Sequence, residues 1–464
     1  MSFKKVLSFS LVLSSFVSVF CFGAIRSINV FTGVPQIADV GAKYGGFGDI
    51  AANLIAAVEM KQRHPEIEIR LLVTSSSQRL YRNVPTSNEI MKIMVPSLNP
   101  EKKDTPQPYK GIKVIFLSLD FGPILKLADK EKDLKSEMEL LLEDLHEIVP
   151  PSDLNINFSH FPESGDLLRV NTSLAIGVEE VSEDKDPILG IDKPTEVLSG
   201  FIELTSGPRT LGYPLTKSIG SSRHNKSLIR KWANQKKISL PKSYKPLFIY
   251  TSEWEAAQIY IDALEMLDLN GQYVLFSKDY PKLDLSSLPS NVQFVPVSGL
   301  PFEVMHAMIY ESELSPLVTG DSSLSQAISS ANETKSFVYE APHWKVFSSW
   351  RLRAQLAKDL GLKTRALEGM FLNTDVIRGL SRNKIREKGR NLARLLSDKN
   401  LQIRLGKAIR KRIPKWDQFS NVLAIADLLS ESEEGKKSKE LVRPIVSELS
   451  KSICSKYALA KSGN

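Results

Sequence analysis

Leu314-Ser-Pro-Leu-Val-Thr-Gly-Asp-Ser-Ser-Leu-Ser-Gln-Ala-Ile-Ser-Ser330 is the stretch on which the fold turns. The short apolar run Pro316 to Val318 reads as a buried strand that stops at Thr319-Gly320-Asp321. A helix follows at once, with Leu324, Ala327, Ile328 and Ala331 on one apolar face. Gly320 lets the backbone turn tightly, and Ser323 with Gln326 fits a capping box. A strand, a small-residue turn and an open helix N-terminus attract a phosphate through exposed N–H groups and the helix dipole. The plainer reading, in which Ser323 only caps its own helix, stays open.

The same order occurs near the amino terminus. Ser27 to Thr32 reads as a strand, and a loop follows that ends in Gly41-Ala-Lys-Tyr-Gly-Gly-Phe-Gly-Asp49. Ile50 to Lys61 then forms an amphipathic helix closed by His64-Pro65, and Ile69 to Thr74 is the next strand. Strand, glycine-rich turn, helix and strand make a parallel βαβ unit. Further strands are expected at Lys113 to Leu119, Leu154 to Phe161, Ser173 to Val178 and Glu196 to Leu204, with an acidic helix from Glu131 to Ile148. The polar, basic segment Lys217 to Tyr244 marks a boundary. Beyond it the pattern repeats. Strands are expected at Pro246 to Thr251, Gln272 to Ser277, Val292 to Val297 and Lys335 to Glu340. A helix starts at Ser252 with Glu255 completing a capping box, and another spans Phe302 to Glu311. Everything from Trp344 to Leu429 reads as helices. The expected organisation is therefore a targeting segment (1–24), two Rossmann-like α/β domains (25–235 and 236–430) around a cleft, and a charged tail (431–464).

Composition fits this reading. A chain of 464 residues with 42% hydrophobic and 25% charged residues is an ordinary globular protein of about two domains, not a disordered one. The formal charge of +8 is unevenly spread: 14 Lys/Arg lie between Arg378 and Lys415 against Glu387 and Asp398. That run reads either as the solvated side of helices whose other side is apolar, or as a surface for an anionic membrane. Nucleic acid is not an expected partner. At the amino terminus, Lys4 and Lys5 precede the apolar run Val6 to Phe22 and the small residues Gly23 and Ala24. This is the pattern of a signal peptide, with an uncleaved anchor as the alternative. Cleavage there leaves only Cys454, hence no intramolecular disulfide and no cysteine metal site.

Lys43-Tyr-Gly-Gly-Phe-Gly-Asp49 looks like the Lys-x-Gly-Gly-Leu-Gly-Asp motif that follows the first strand in glycogen and starch synthases. Phe47-Gly48-Asp49-Ile50 also resembles the Asn-Phe-Gly-Asp-Ile motif of protein-arginine rhamnosyltransferases. Gly320-Asp-Ser-Ser-Leu-Ser-Gln326 is similar to the turn and helix start that holds the donor diphosphate in many GT-B glycosyltransferases. The resemblance is to the GT-B superfamily, at the level of motifs and layout over residues 27–430. The Glu-Pro-Cys-Gly-type motif of the synthases is absent, and Gln326 stands where a ribose-binding Glu is common.

That resemblance implies transfer of a sugar from a nucleotide-sugar donor to a protein or glycan acceptor. Lys43, Gly45, Gly46 and Gly48 would approach the donor from one side. Gly320, Asp321, Ser322 and Ser323 would hold its diphosphate, and Thr251 and Ser252 would add contacts from the neighbouring helix start. Glu340, at a strand end, would read a ribose or sugar hydroxyl. Asp49, Asp120 and His160 are candidates for the carboxylate or imidazole that takes the acceptor proton. Neither a cofactor nor a metal is expected, because helix N-termini with Lys43 can neutralise a diphosphate. Two other classes stay open: an exported, non-catalytic binder of glycan or phosphate, and a nucleotide-sugar epimerase.

Overall fold

A computed structural model describes residues 25–32, 48–75, 86–120, 143–160, 168–172, 174–179, 201–205, 212–216, 222–332 and 334–431. Within these, the first sheet comprises β1 (Ser27–Thr32), β2 (Glu68–Ser75), β3 (Gln107–Tyr109), β4 (Ile112–Asp120), β5 (Leu154–His160), β6 (Ala175–Glu179) and β7 (Phe201–Thr205). Their order is β3-β4-β2-β1-β5-β6-β7, parallel throughout except for the antiparallel edge strand β3. The second sheet contains β8 (Lys245–Ile249), β9 (Tyr273–Ser277), β10 (Val292–Pro296), β11 (Leu317–Thr319), β12 (Val338–Ala341) and β13 (Phe371–Asn373). It is ordered β10-β9-β8-β11-β12-β13, and its pairings are parallel. Both sheets reverse their strand order in the middle, at β1/β5 and at β8/β11, as doubly wound sheets do. This is the two-domain α/β layout that the sequence implied.

The helices that frame the two strand-order reversals and join the domains are α1 (Gly48–Arg63), α2 (Ser87–Met94), α3 (Ser222–Gln235), α4 (Trp254–Glu265), α5 (Phe302–Glu311), α6 (Asp321–Ser330) and α7 (Val346–Asp359). They are succeeded along the chain by α8 (Arg382–Ser397), α9 (Lys399–Arg412) and α10 (Gln418–Glu431). No described helix is long and apolar enough to cross a membrane.

Helix α1 is buried on every side from Ile50 to Met60, including the polar Asn53 and Glu59. A surface helix has a polar face; one without it lies between two layers. One side of α1 rests on β1, β2 and β5, and the other meets α6 of the second domain and α10. Asn53 fastens it to the sheet, donating to Asn157 Oδ1 (3.2 Å) and accepting from the Phe158 N–H (2.7 Å).

The chain crosses between the domains twice, and the two crossings are tied together. Tyr213 N–H donates to the Trp416 carbonyl (2.7 Å), and Gln418 N–H donates to the Tyr213 carbonyl (3.1 Å). Gly212, at φ +91, leaves no room for a side chain, since a Cβ there would sit 2.2 Å from the Trp416 carbonyl oxygen. After the first crossing, Tyr213, Leu215, Ile229 and Trp232 join the second core. After the second, Phe419, Val422, Leu423 and Ala426 of α10 return to the first core. Phe419 packs edge-on against Phe158 at 5.3 Å.

Several expectations need correction. The segment from Trp344 to Leu429 is not wholly helical, because Phe371–Asn373 pairs with β12 as a sixth strand. Neither expected capping box forms in the second domain. Helix α4 begins at Trp254 rather than Ser252, with Glu253 extended at its N-cap and no side-chain cap. Helix α6 begins at Asp321 after Gly320 at φ +78, so Ser323 already lies in its first turn. The Ser323 hydroxyl then donates back to the Thr319 carbonyl instead of accepting from the helix. Of the expected helix Glu131 to Ile148, residues 131–142 lie outside the described residues.

Candidate functional site

In open parallel sheets, ligands bind beyond the carboxyl ends of strands, where the strand order reverses. In the second sheet that point lies between β8 and β11, which lead into α4 and α6. In the first it lies between β1 and β5, and β1 leads towards the start of α1.

The beginnings of α1 and α6 share one side of the molecule. Arg63, the last residue of α1, donates to the Leu215 carbonyl (3.0 Å), while Ser329 Oγ near the end of α6 accepts from the Thr216 N–H (3.0 Å). The two helices thus end at consecutive residues of one crossing segment. Packed against each other, they run the same way, and their positive dipole ends open on the same side. Arg63 also pairs with Asp417 at 2.5 Å, which locks this end.

At the start of α6, polar groups are buried without partners among the described residues. Ser322 is 4% exposed and Gln326 is 0% exposed. The hydroxyl of Ser322 and both polar side-chain atoms of Gln326 lack a hydrogen bond among the described residues. A buried polar atom left unpaired costs about 1–3 kcal/mol, so such a cluster calls for a ligand or another compensating group. Asp321, in the same turn, pairs with the buried Lys345 beyond β12.

The start of α4 is satisfied from within. Glu340, fully buried at the end of β12, accepts from Ser252 N–H (2.7 Å), Glu253 N–H (3.0 Å) and Ser252 Oγ–H (2.9 Å). Burial raises the pKa of its carboxyl group, and the donors from Ser252 and Glu253 pull against that rise. Beside it, Thr251 Oγ1 and the Tyr280 hydroxyl are 2.9 Å apart.

Among the expected site residues, Gly320, Asp321, Ser322 and Ser323 therefore cluster at one helix start. Thr251, Ser252 and Glu340 cluster beside it, but Ser252 and Glu340 are spent on each other. Lys43, Gly45 and Gly46 lie outside the described residues. Gly48 and Asp49 are the first two residues of α1. Asp120 ends β4 beside Ser75, and His160 ends β5 beside Glu179, so both sit at the carboxyl edge of the first sheet. Lys345 and Tyr280 carry no sequence signal that points to this site. Gln326 enters the sequence reading only as a capping-box partner and at the place of a ribose-binding Glu; its burial, on the side of the helix away from Leu324, Ala327 and Ile328, has no local signal.

No protein-family model and no curated protein matches the chain. Solved structures do. One is Phytolacca americana UGT2 complexed with UDP-2fluoro-glucose and pterostilbene, at 10% identity and TM-score 0.46, covering 88% of this chain and 100% of that one. A second is Arabidopsis thaliana UGT89C1, at 11% identity and TM-score 0.45, with the same coverage of 88% and 100%. A third is a glycosyltransferase from Rickettsia africae ESF-5, at 8% identity and TM-score 0.40, covering 89% of this chain and 99% of that one. The chain is similar to each of these in layout.

Proposed function

We propose that the protein is a GT-B-type glycosyltransferase that moves a sugar from a nucleotide-sugar donor to a protein or glycan acceptor without a metal ion. The observation that carries this reading is the set of buried polar atoms of Ser322 and Gln326, unpartnered among the described residues, at the opening of α6 beside the parallel opening of α1. A donor diphosphate there meets the first-turn N–H groups of α6 and two dipole ends, and a ligand supplies the hydrogen bonds that Ser322 and Gln326 lack. Lys43 with Gly45, Gly46 and Gly48 is assigned the opposite side of the donor. Asp49, Asp120 and His160 are the candidates for removing the acceptor proton. The amino-terminal segment assigns the work to an exported compartment, which amino-terminal sequencing of the mature chain tests.

The function is tested by melting the protein with uridine, guanosine, adenosine and thymidine diphosphates, each with and without a chelator. A ligand at about 100 times its Kd stabilises by roughly 2.7 kcal/mol, a shift of several degrees. The expected result is a shift for one nucleotide that survives chelation and disappears in Ser322→Ala/Gln326→Leu. Binding of free glycan with no nucleotide effect overturns the transferase in favour of a non-catalytic binder.

A further inference from the structure

The second domain contains a cavity of about 580 Å³ at its β13 edge. It is bounded by α7, α8 and the edge strand β13. Four of its lining residues are cationic: Arg353 on α7, Arg365, and Lys388 and Arg394 on α8. Glu368 is the carboxylate in the same lining. None of these four cations forms an ion pair among the described residues, whereas Arg382, Arg386 and Arg412 of α8 and α9 all hold carboxylates. The Arg353 Nε is moreover buried without a partner among the described residues. Unpaired guanidinium groups converging on a hollow are arranged for an anion with several acceptor oxygens, such as a phosphate ester.

The mouth of the cavity is apolar. Trp350 and Val376 line it and remain 46% and 53% exposed. Phe347, 36% exposed, stacks on Trp350 with centroids 6.1 Å apart and planes 21° from parallel. The guanidinium of Arg351 lies 4.2 Å from the centre of the Phe347 ring. A soluble anion gives these side chains nothing to bury against. A bilayer does: aromatic rings settle at the headgroup level while cations meet the negative surface.

We infer that this face of the second domain docks on an anionic phospholipid bilayer. Arg353, Arg365, Lys388 and Arg394 receive a phosphate headgroup, and Trp350, Phe347 and Val376 enter the interface. The inference uses neither the α6 opening nor the proposed reaction, so each stands or falls separately.

The test is co-sedimentation of the full chain with vesicles of phosphatidylcholine alone, and with vesicles containing about a third phosphatidylglycerol. The amino-terminal apolar segment is common to every variant, so differences between variants report on this face. Binding is expected on the anionic vesicles and weaker on the neutral ones. Arg365→Gln/Arg394→Gln, both at exposed positions, should lower partitioning about thirtyfold, at roughly 1 kcal/mol for each cation near the surface. Trp350→Ser should lower it on both kinds of vesicle. Equal binding to both vesicle types, or variants that partition like the parent protein, overturns the inference. So does a response to inorganic phosphate in solution without vesicle binding, which would make the cavity a soluble-anion site.

Discussion

Helices α4 and α6 both begin at the carboxyl edge of the second sheet, on either side of its reversal, yet they are finished in opposite ways. The residues leading into α4 receive a buried carboxylate from Glu340, which accepts from the Ser252 and Glu253 N–H groups just before the first turn. Among the described residues, the first turn of α6 receives no such group; its Asp321 points to Lys345, and the side chains of Ser322 and Gln326 stay unpaired. An anion already supplied by the chain closes one helix start. The other has no such partner among the described residues, and the proposed function gives it an anion from outside. The difference separates a helix start closed by the chain's own carboxylate from one left open among the described residues.

The largest break in this comparison is predicted for Glu340→Ala. It strips the acceptor from the part-buried donors of Ser252 and Glu253 and leaves a void where a fully buried side chain sat, at a cost of about 3 kcal/mol read from denaturant unfolding. Glu340→Gln separates charge from shape. Because burial raises the folded pKa of Glu340, the folded protein binds that proton more tightly than the unfolded chain. The resulting stability is complete below the unfolded carboxylate pKa and is lost as pH rises through the folded pKa. The Gln variant lacks this slope, so it should gain on the wild type in melting temperature as pH climbs from acid towards neutrality. A gain in the reverse direction would mean that the hydrogen bonds of the helix start outweigh burial.

A second pH dependence comes from the domain interface. His306 is held down to about 4, first by burial and then by the nearby Lys110. Its folded pKa lies below the ordinary value, so the protein should lose stability as pH falls from about 6.5 through 4. His306→Gln should flatten that part of the melting curve.

Local periodicity carries what is legible in the sequence. The bounds of β1 and α5 can be read directly, because alternation and helical spacing are confined there between clear breakers. The start of α1 is visible in Gly48-Asp49, but its burial on all sides is not. That depends on α6 and α10 arriving from more than 250 residues away along the chain. Strand β13 is three residues long and holds its place by pairing with β12, with no pattern of its own to read. The capping boxes fail for a related reason. Whether Ser252 caps α4 is decided by Glu340, 88 residues on, and no local spacing records that.

Three smaller changes sharpen the contrast from the α6 side. Gln326→Leu keeps the volume of the side chain and removes two unsatisfied atoms, so the unliganded protein should gain about 2 kcal/mol while nucleotide affinity falls. Gly320→Ala meets open space but must hold φ +78, which costs about 1 kcal/mol and tilts the first N–H groups of α6.

Ser322→Ala is the smallest and the most telling. If its hydroxyl were a structural hydrogen-bonding group, deletion would cost about 1 kcal/mol, because a partner would be left behind. No partner exists among the described residues, so the unliganded protein should keep its melting temperature or rise by less than about 1 kcal/mol. The loss should appear only with ligand, as a smaller nucleotide-induced shift. A variant that is less stable when empty and unchanged when loaded would place Ser322 with Ser252, as a group held by the chain itself, and erase the difference between the two helix starts.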